Sequence, residues 1–122
     1  WPPFVVQPGP RIFQDSLFST GIPFLGRPGH AKFLKELHQV MGHSAGVRRL
    51  GSAALDLAWT AAGRYDGFWE RGLAPWDIAA GVLIAREAGC QVESLSGGNV
   101  VETGNIICTN AALMAPLKER VG

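Results

Sequence analysis

The 122-residue sequence is low in charge and has no long apolar run. Charged residues make up 17% and balance to a formal net charge of +1, which excludes the strongly basic surface typical of nucleic-acid binders. Every apolar stretch is interrupted well before it reaches the length of a membrane span, and no basic-then-apolar leader is visible. We therefore expect a cytoplasmic protein that binds neither a membrane nor nucleic acid.

Several reactive motifs are also missing. There is no Cys-x-x-Cys, no G-x-S-x-G elbow and no P-loop, and the three histidines lack metal-ligand spacing. Only two cysteines occur, Cys90 and Cys108. With 47% hydrophobic residues the chain does not need a disulfide to stabilise its core, so we favour two buried free thiols.

The length favours one domain with a single core. Six of the eight prolines fall within residues 1–30, which predicts a lead-in of loop and extended structure. The chain opens on WPPFVVQPGPRIF without an initiator methionine, so we expect it to be part of something longer.

Strand and helix patterns alternate along the rest of the chain, which predicts a layered α/β sandwich with a mixed, largely parallel sheet. The predicted strands are SLFSTGIPF, GVRRLG, RYDGFWERG, CQVESL and VVETGNIICTN, the last two joined by a turn over 96–99. The predicted helices are HAKFLKELHQVMGH, AALDLAWTAAG, residues 75–88 and AALMAPLKERVG. The apolar stripe of the first helix is Phe33, Leu34, Leu37, Val40 and Met41.

Asp77 is the first candidate for a functional residue. It stands in the opening turn of a predicted helix, where an acid is stabilised by the helix dipole, so a purely structural role is a sufficient explanation. A carboxylate at a helix start is also a suitable oxygen ligand for Mg²⁺, although one carboxylate alone does not make a magnesium site. Both interpretations stay open on the pattern alone.

Two further features lie near the same connection. Glu70 ends the aromatic strand seven residues earlier, at the carboxyl edge where α/β sheets bind ligands; the alternative is a surface ion pair with Arg71 or Arg64. The GSAA segment enters a helix with backbone donors available for an anion or a hydroxyl, and ordinary N-capping explains it equally well.

The block RRLGSAALDLAWTAAGRYDGFWERGLAPWDIAAGVLIAREAG resembles the C-terminal half of the inositol monophosphatase family, its bacterial members in particular. The most specific match is PWDIAAGVLIAREAG, and STGIPF and TGNIICTN follow the family's order and spacing. The resemblance implies that residues 1–122 form one α/β unit, the C-terminal part of a larger phosphatase domain with the sugar-phosphatase fold.

The resemblance also implies functional roles. Asp77 matches a Mg²⁺ ligand that lies near the substrate, and Glu70 matches a glutamate that hydrogen-bonds a substrate hydroxyl. Gly51, Ser52 and Ala53 match a helix start that contacts the ring of the substrate. The implied activity is Mg²⁺-dependent hydrolysis of inositol monophosphate or a related small phosphate monoester.

One departure from the family is large. Its first half, with a metal-binding glutamate and the Asp-Pro-Ile-Asp-Gly-Thr signature, does not occur here, so we expect the isolated chain to be inactive. We expect a homo-oligomer or a complex with the missing half. Two alternatives stay open: a non-catalytic module that contacts protein or RNA-processing machinery, and a fructose-bisphosphatase or nucleotide 3′-phosphatase of the same superfamily.

Overall fold

The computed structural model describes residues 12–23, 26 and 28–122. Within them the strands are β1 (Leu17–Thr20), β2 (Gly46–Arg48), β3 (Gly67–Glu70), β4 (Gln91–Ser94) and β5 (Ile106–Thr109). The helices are α1 (His30–Met41), α2 (Ala53–Ala61), α3 (Pro75–Glu87), α4 (Val100–Thr103) and α5 (Met114–Val121). Two 3-10 turns, Phe13–Asp15 and Ala111–Leu113, precede β1 and α5.

The strands form one sheet in the order β2-β1-β3-β5-β4. β1 pairs in parallel with both β2 and β3, whereas β5 runs antiparallel to β3 and β4. Four strands therefore point in one direction and only β5 opposes them. This confirms the predicted mixed, largely parallel sheet.

Helices cover both faces of the sheet. α2 and α3 pack on one face around Leu57, Phe68 and Ile78. α1 and α5 pack on the other around Trp69 and Leu117. The neighbours Phe68 and Trp69 point to opposite faces, as the two-residue period of a strand requires. The layered α/β sandwich expected from the sequence is confirmed.

The predicted strand VVETGNIICTN is wrong in its first part. Val100–Thr103 is the short helix α4, and only Ile106–Thr109 is a strand. The side chain of Asn99 accepts hydrogen bonds from the backbone N–H groups of Val101 and Glu102 at 2.9 and 3.1 Å. This N-cap stabilises a helical turn against the preference of two adjacent valines for a strand.

The predicted apolar stripe of α1 is also partly wrong. Phe33 and Val40 are buried, but Leu34 and Met41 are 63% and 56% exposed. Glu36 is buried instead, with 4% of its surface exposed. The buried stripe therefore runs through i, i+3 and i+7 and includes a charged residue whose partner comes from another part of the fold.

Other predictions agree with the structure. Ser52 caps α2, and Gly63 and Gly89 adopt positive φ angles just after α2 and α3. Cys90 and Cys108 are free and buried. Most of the predicted lead-in lies outside the described residues; within the described part, no helix has the length and apolar character to cross a membrane.

Candidate functional site

A cavity of about 700 Å³ opens at the carboxyl ends of β1, β2 and β3. These three strands are parallel, so the segments that follow them meet at one edge of the sheet, where α1, α2 and α3 also begin. The lining residues come from the segments after β1 and β2, from the end of β3 and from the starts of the three helices.

All five residues singled out in the sequence lie on the wall of this cavity: Gly51, Ser52, Ala53, Glu70 and Asp77. They come from two separate connections, β2 to α2 and β3 to α3. The fold brings these connections together because α2 and α3 pack side by side on the same face of the sheet.

Asp77 is the third residue of α3, behind Pro75 at the first position. Its Oδ2 accepts a hydrogen bond from the backbone N–H of Ala74 at 3.1 Å, which fixes the start of the helix. Oδ1 has no hydrogen-bond partner among the described residues, and the side chain is exposed at the cavity. Capping and ligand binding are thus compatible in one carboxylate.

The start of α2 presents backbone donors to the cavity. Ser52 Oγ accepts from the N–H of Leu55 at 3.4 Å, and the first intrahelical bond runs from the N–H of Asp56 to the carbonyl of Ser52. The N–H groups of Ala53 and Ala54 precede that bond and have no partner within the helix. Gly51, with φ of 83°, turns the chain into this position.

Glu70 lies beside Gly21, because the parallel register pairs Thr20 with Trp69 one residue earlier. A Cβ atom at Gly21 would overlap the carboxyl group of Glu70, so this glycine provides the space for that side chain. Its role was missed in the sequence, since it depends on strand register. The arginines considered as surface partners of Glu70 are engaged elsewhere: Arg71 contacts Glu36, and Arg64 lies over the ring of Trp59.

An ion pair between a partly exposed arginine and a buried glutamate forms the α1 side of the cavity. Arg71 Nη1 lies 2.6 Å from Oε1 of Glu36, and its Nη2 donates to the carbonyl of Val121, also at 2.6 Å. Arg71 therefore connects β3 to α1 and to the end of α5. The sequence contained a signal for the burial of Glu36, though not for its partner, because Glu36 stands three residues after Phe33, on the face that packs against the core.

A second buried carboxylate anchors α2 to the sheet. Ser19 Oγ donates to Oδ1 of Asp56 at 2.5 Å, and Oδ2 has no partner among the described residues. Burial raises the pKa of Asp56, and the hydrogen bond from Ser19 partly offsets this. The bond fixes the height of α2 relative to β1, and thereby the position of the helix start in the cavity.

Comparison with models of protein families identifies the family of this chain. The model of the inositol monophosphatase family matches residues 13–121, nearly the whole chain. The chain belongs to this family. The resemblance drawn from PWDIAAGVLIAREAG is therefore confirmed.

Named relatives agree with the family match. An inositol-1-monophosphatase of Rhizobium meliloti (strain 1021) is 52% identical over 110 residues, which are 89% of this chain and 41% of that protein. The Nus factor SuhB of Escherichia coli (strain K12) is 41% identical over 116 residues, 91% of this chain and 43% of the relative. This chain spans about two fifths of the length of the curated relatives it matches.

A solved structure shows the same fold. The crystal structure of the extragenic suppressor protein suhB from Bartonella henselae superposes with a TM-score of 0.89 at 45% identity. The match covers 96% of this chain and 45% of that one. The sheet, both helical layers and their order are thus shared with that protein.

The family implies Mg²⁺, and the residues present do not complete a site for it. Mg²⁺ requires octahedral coordination by oxygen atoms. Among the described residues no three acidic, histidine or cysteine side chains cluster in a way that would hold a metal ion. Glu36 is committed to Arg71, which leaves Glu70 and Asp77 as the acids on the cavity wall.

Proposed function

We propose that this chain forms the hydroxyl-binding side of the active site of a Mg²⁺-dependent phosphatase in the cytoplasm. The substrate is inositol monophosphate or a related small phosphate monoester. The observation that carries the proposal is the convergence of Gly51–Ala53, Glu70 and Asp77 on one cavity in a member of the inositol monophosphatase family.

Each residue has a distinct part in this proposal. The N–H groups at the start of α2 donate to oxygens of the substrate ring, and the Glu70 carboxylate accepts from a ring hydroxyl. Asp77 is held at the start of α3 by its bond to Ala74, with Oδ1 directed to ligand binding. These contacts orient the ester and hold its ring at the edge of the sheet.

The proposal assigns Asp77 as one Mg²⁺ ligand and places the other ligands on residues outside this chain. A single carboxylate leaves most of the coordination positions of Mg²⁺ without a protein oxygen. We therefore expect the isolated chain to have no phosphatase activity. We expect activity when the missing part of the family fold is supplied, as a covalent extension or as a partner in an oligomer.

The experiment measures phosphate release from inositol 1-phosphate with Mg²⁺. The chain is assayed alone and after co-expression with the part of the R. meliloti relative that it does not match. Release is expected only from the complex, and Asp77→Asn is expected to reduce it about 100-fold or more. Glu70→Gln is expected to reduce kcat/KM about 10-fold or more, because a hydrogen bond to a charged acceptor is lost.

Glu87→Gln is the matched control, since Glu87 is an exposed acid at the opposite end of α3. It is expected to leave the rate unchanged. Normal release from the chain alone would contradict the expected inactivity. Release that survives Asp77→Asn would contradict the assigned site.

A second candidate function is supported by one relative. The E. coli protein that is 41% identical is a Nus factor, a name that points to a role with the transcription machinery. A non-catalytic module that contacts protein or RNA-processing machinery is the corresponding proposal for this chain. Pull-down of such a partner that persists in Asp77→Asn would favour it, whereas loss of all function with that substitution would favour catalysis.

A further inference from the structure

We propose that Asn105 is a positioning residue for the candidate site. It holds Gly72, in the connection between β3 and α3, and thereby fixes the positions of Glu70 and Asp77 relative to each other. The inference rests on the proposed function and deepens it, because it gives a role at the site to the TGNIICTN segment, which the proposed substrate contacts do not use.

The connection between β3 and α3 carries both acids and turns at a glycine. Glu70 is the last residue of β3, and Asp77 lies in the first turn of α3. Between them Gly72 is exposed and has a φ of 76°, a conformation that favours glycine. Glycine restrains the backbone less than any other residue, so contacts from outside the connection are needed to fix its path.

The start of β5 supplies those contacts. This strand runs antiparallel to β3, with Ile106 opposite Glu70. One residue before Ile106, Oδ1 of Asn105 accepts a hydrogen bond from the backbone N–H of Gly72 at 3.0 Å. The amide oxygen of the side chain thus takes the place of a backbone carbonyl and extends the hydrogen bonding past the end of β3.

The preceding residue makes a second contact with the same connection. The carbonyl of Gly104 accepts a hydrogen bond from the N–H of Leu73 at 3.0 Å. Gly104 is buried with a φ of 71°, and a Cβ atom there would overlap the carbonyl of Leu73. The two backbones can approach this closely only because a glycine precedes Asn105, and that approach brings the Asn105 side chain within reach of Gly72.

Asn105 is itself held in place, so it can position another residue. Its Nδ2 donates to Oγ of Ser96 at 3.1 Å, and its carbonyl accepts from the N–H of Leu95 at 2.8 Å. Its backbone N–H donates to Oγ1 of Thr103 at 3.4 Å. Asn105 also lines the cavity, so it reaches the cavity wall from a fixed support.

Loss of the bond to Gly72 is expected to act on binding through geometry. Asn105→Leu removes both polar ends of the side chain at similar size. The N–H of Gly72 then loses this acceptor and the connection shifts, so Glu70 no longer meets a ring hydroxyl at hydrogen-bond distance. Asn105→Asp keeps an oxygen acceptor at that position and loses only the donor to Ser96.

The test combines hydrogen exchange of the Gly72 amide with NMR titration of inositol 1-phosphate, both on this chain without metal. Asn105→Leu is expected to speed the exchange of Gly72 about 2- to 10-fold, the range for one lost hydrogen bond, and to raise Kd by a similar factor. Asn105→Asp is expected to restore slow exchange of Gly72. In the Glu70→Gln background, Asn105→Leu is expected to change Kd less than in the wild type, because it acts through Glu70.

Asn110→Leu is the matched control. Asn110 directly follows β5, as Asn105 directly precedes it, and its Oδ1 accepts from the backbone N–H of Leu113 at 3.2 Å. Asn110 lies outside the cavity wall. The substitution therefore removes a comparable bond at the other end of the strand, and it is expected to leave the exchange of Gly72 and the Kd unchanged.

The inference is overturned if Asn105→Leu leaves either the exchange of Gly72 or the Kd at the wild-type value, or if Asn110→Leu has the same effects. It is also overturned if Asn105→Asp exchanges as fast as Asn105→Leu, or if the effect of Asn105→Leu on Kd is equal in the Glu70→Gln background. Far-UV circular dichroism of each variant checks that the fold is retained. Failure of the proposed function looks different: Glu70→Gln would then leave the Kd unchanged while Asn105→Leu still speeds the exchange of Gly72.

Discussion

Gly21→Ala is expected to weaken substrate binding by displacing Glu70. The added Cβ would overlap the Glu70 carboxyl group, which is the far end of a flexible side chain and therefore moves before the backbone does. Gly21 is not among the glycines with a positive φ, so alanine is compatible with its backbone conformation. The substitution thus tests the position of one carboxylate without removing it.

The magnitude follows from the bond that is lost. A hydrogen bond to a charged group contributes about 1.5–3 kcal/mol, which corresponds to about 10- to 150-fold in affinity. We expect the Kd of inositol 1-phosphate, measured by NMR titration, to rise within that range. Urea unfolding is expected to show a change in free energy below about 1 kcal/mol, because no core contact is lost.

A double-mutant cycle tests the mechanism. In the Glu70→Ala background the group displaced by the new Cβ is absent, so Gly21→Ala is expected to have no further effect on Kd. Independent, additive effects of the two substitutions would refute the reasoning. Gly42→Ala is the control, because this glycine lies outside the cavity at the end of α1 and also lacks a positive φ.

Three other substitutions test the packing around the site. Arg71→Met removes the partner of the buried Glu36 and is expected to lower the free energy of unfolding by about 2 kcal/mol in urea, less than for a fully buried pair because Arg71 is partly exposed; an unchanged free energy of unfolding would contradict the pairing. Gly81→Ala would place a Cβ 2.7 Å from Leu57 Cδ1. It is expected to cost about 1–3 kcal/mol, so an unchanged Tm would contradict the close approach of α2 and α3. Burial raises the pKa of Asp56, so its contribution to stability is present below the unfolded pKa of about 3.9 and is lost as pH rises through the folded pKa. Asp56→Asn is therefore expected to gain stability relative to wild type in urea unfolding as pH rises above about 3.9, and a pH-independent difference would argue against that shift.

Local signals in the sequence were sufficient for the helix ends. Ser52 caps α2, and Gly63 and Gly89 follow α2 and α3 with positive φ, because capping depends on residues within one turn. Local signals also predicted that Glu70 and Asp77 lie near each other at the edge of the sheet. One ends a strand and the other begins the next helix, and in a largely parallel sheet those positions share an edge.

Features set by contacts between elements were not predicted. The space at Gly21 depends on the register of β1 against β3, and the partner of Arg71 lies 35 residues away in α1. The helix α4 replaced a predicted strand because a single Asn99 side chain outweighs the preference of two valines. The first two interactions were visible only after the elements were placed, whereas the Asn99 cap is a local signal that was assigned to the turn over 96–99 instead.

The alternation of side chains along β3 explains why the cavity has two sides. Phe68 packs against the α2 and α3 layer, and Trp69 packs against the α1 and α5 layer. Because side chains alternate between the faces, Glu70 lies on the same face as Phe68, and Arg71 lies on the same face as Trp69. Arg71 does reach α1, where it pairs with Glu36. A ligand that crosses the edge of the sheet therefore meets Glu70, the acid proposed to bind a hydroxyl, on one side and the Arg71–Glu36 ion pair on the other.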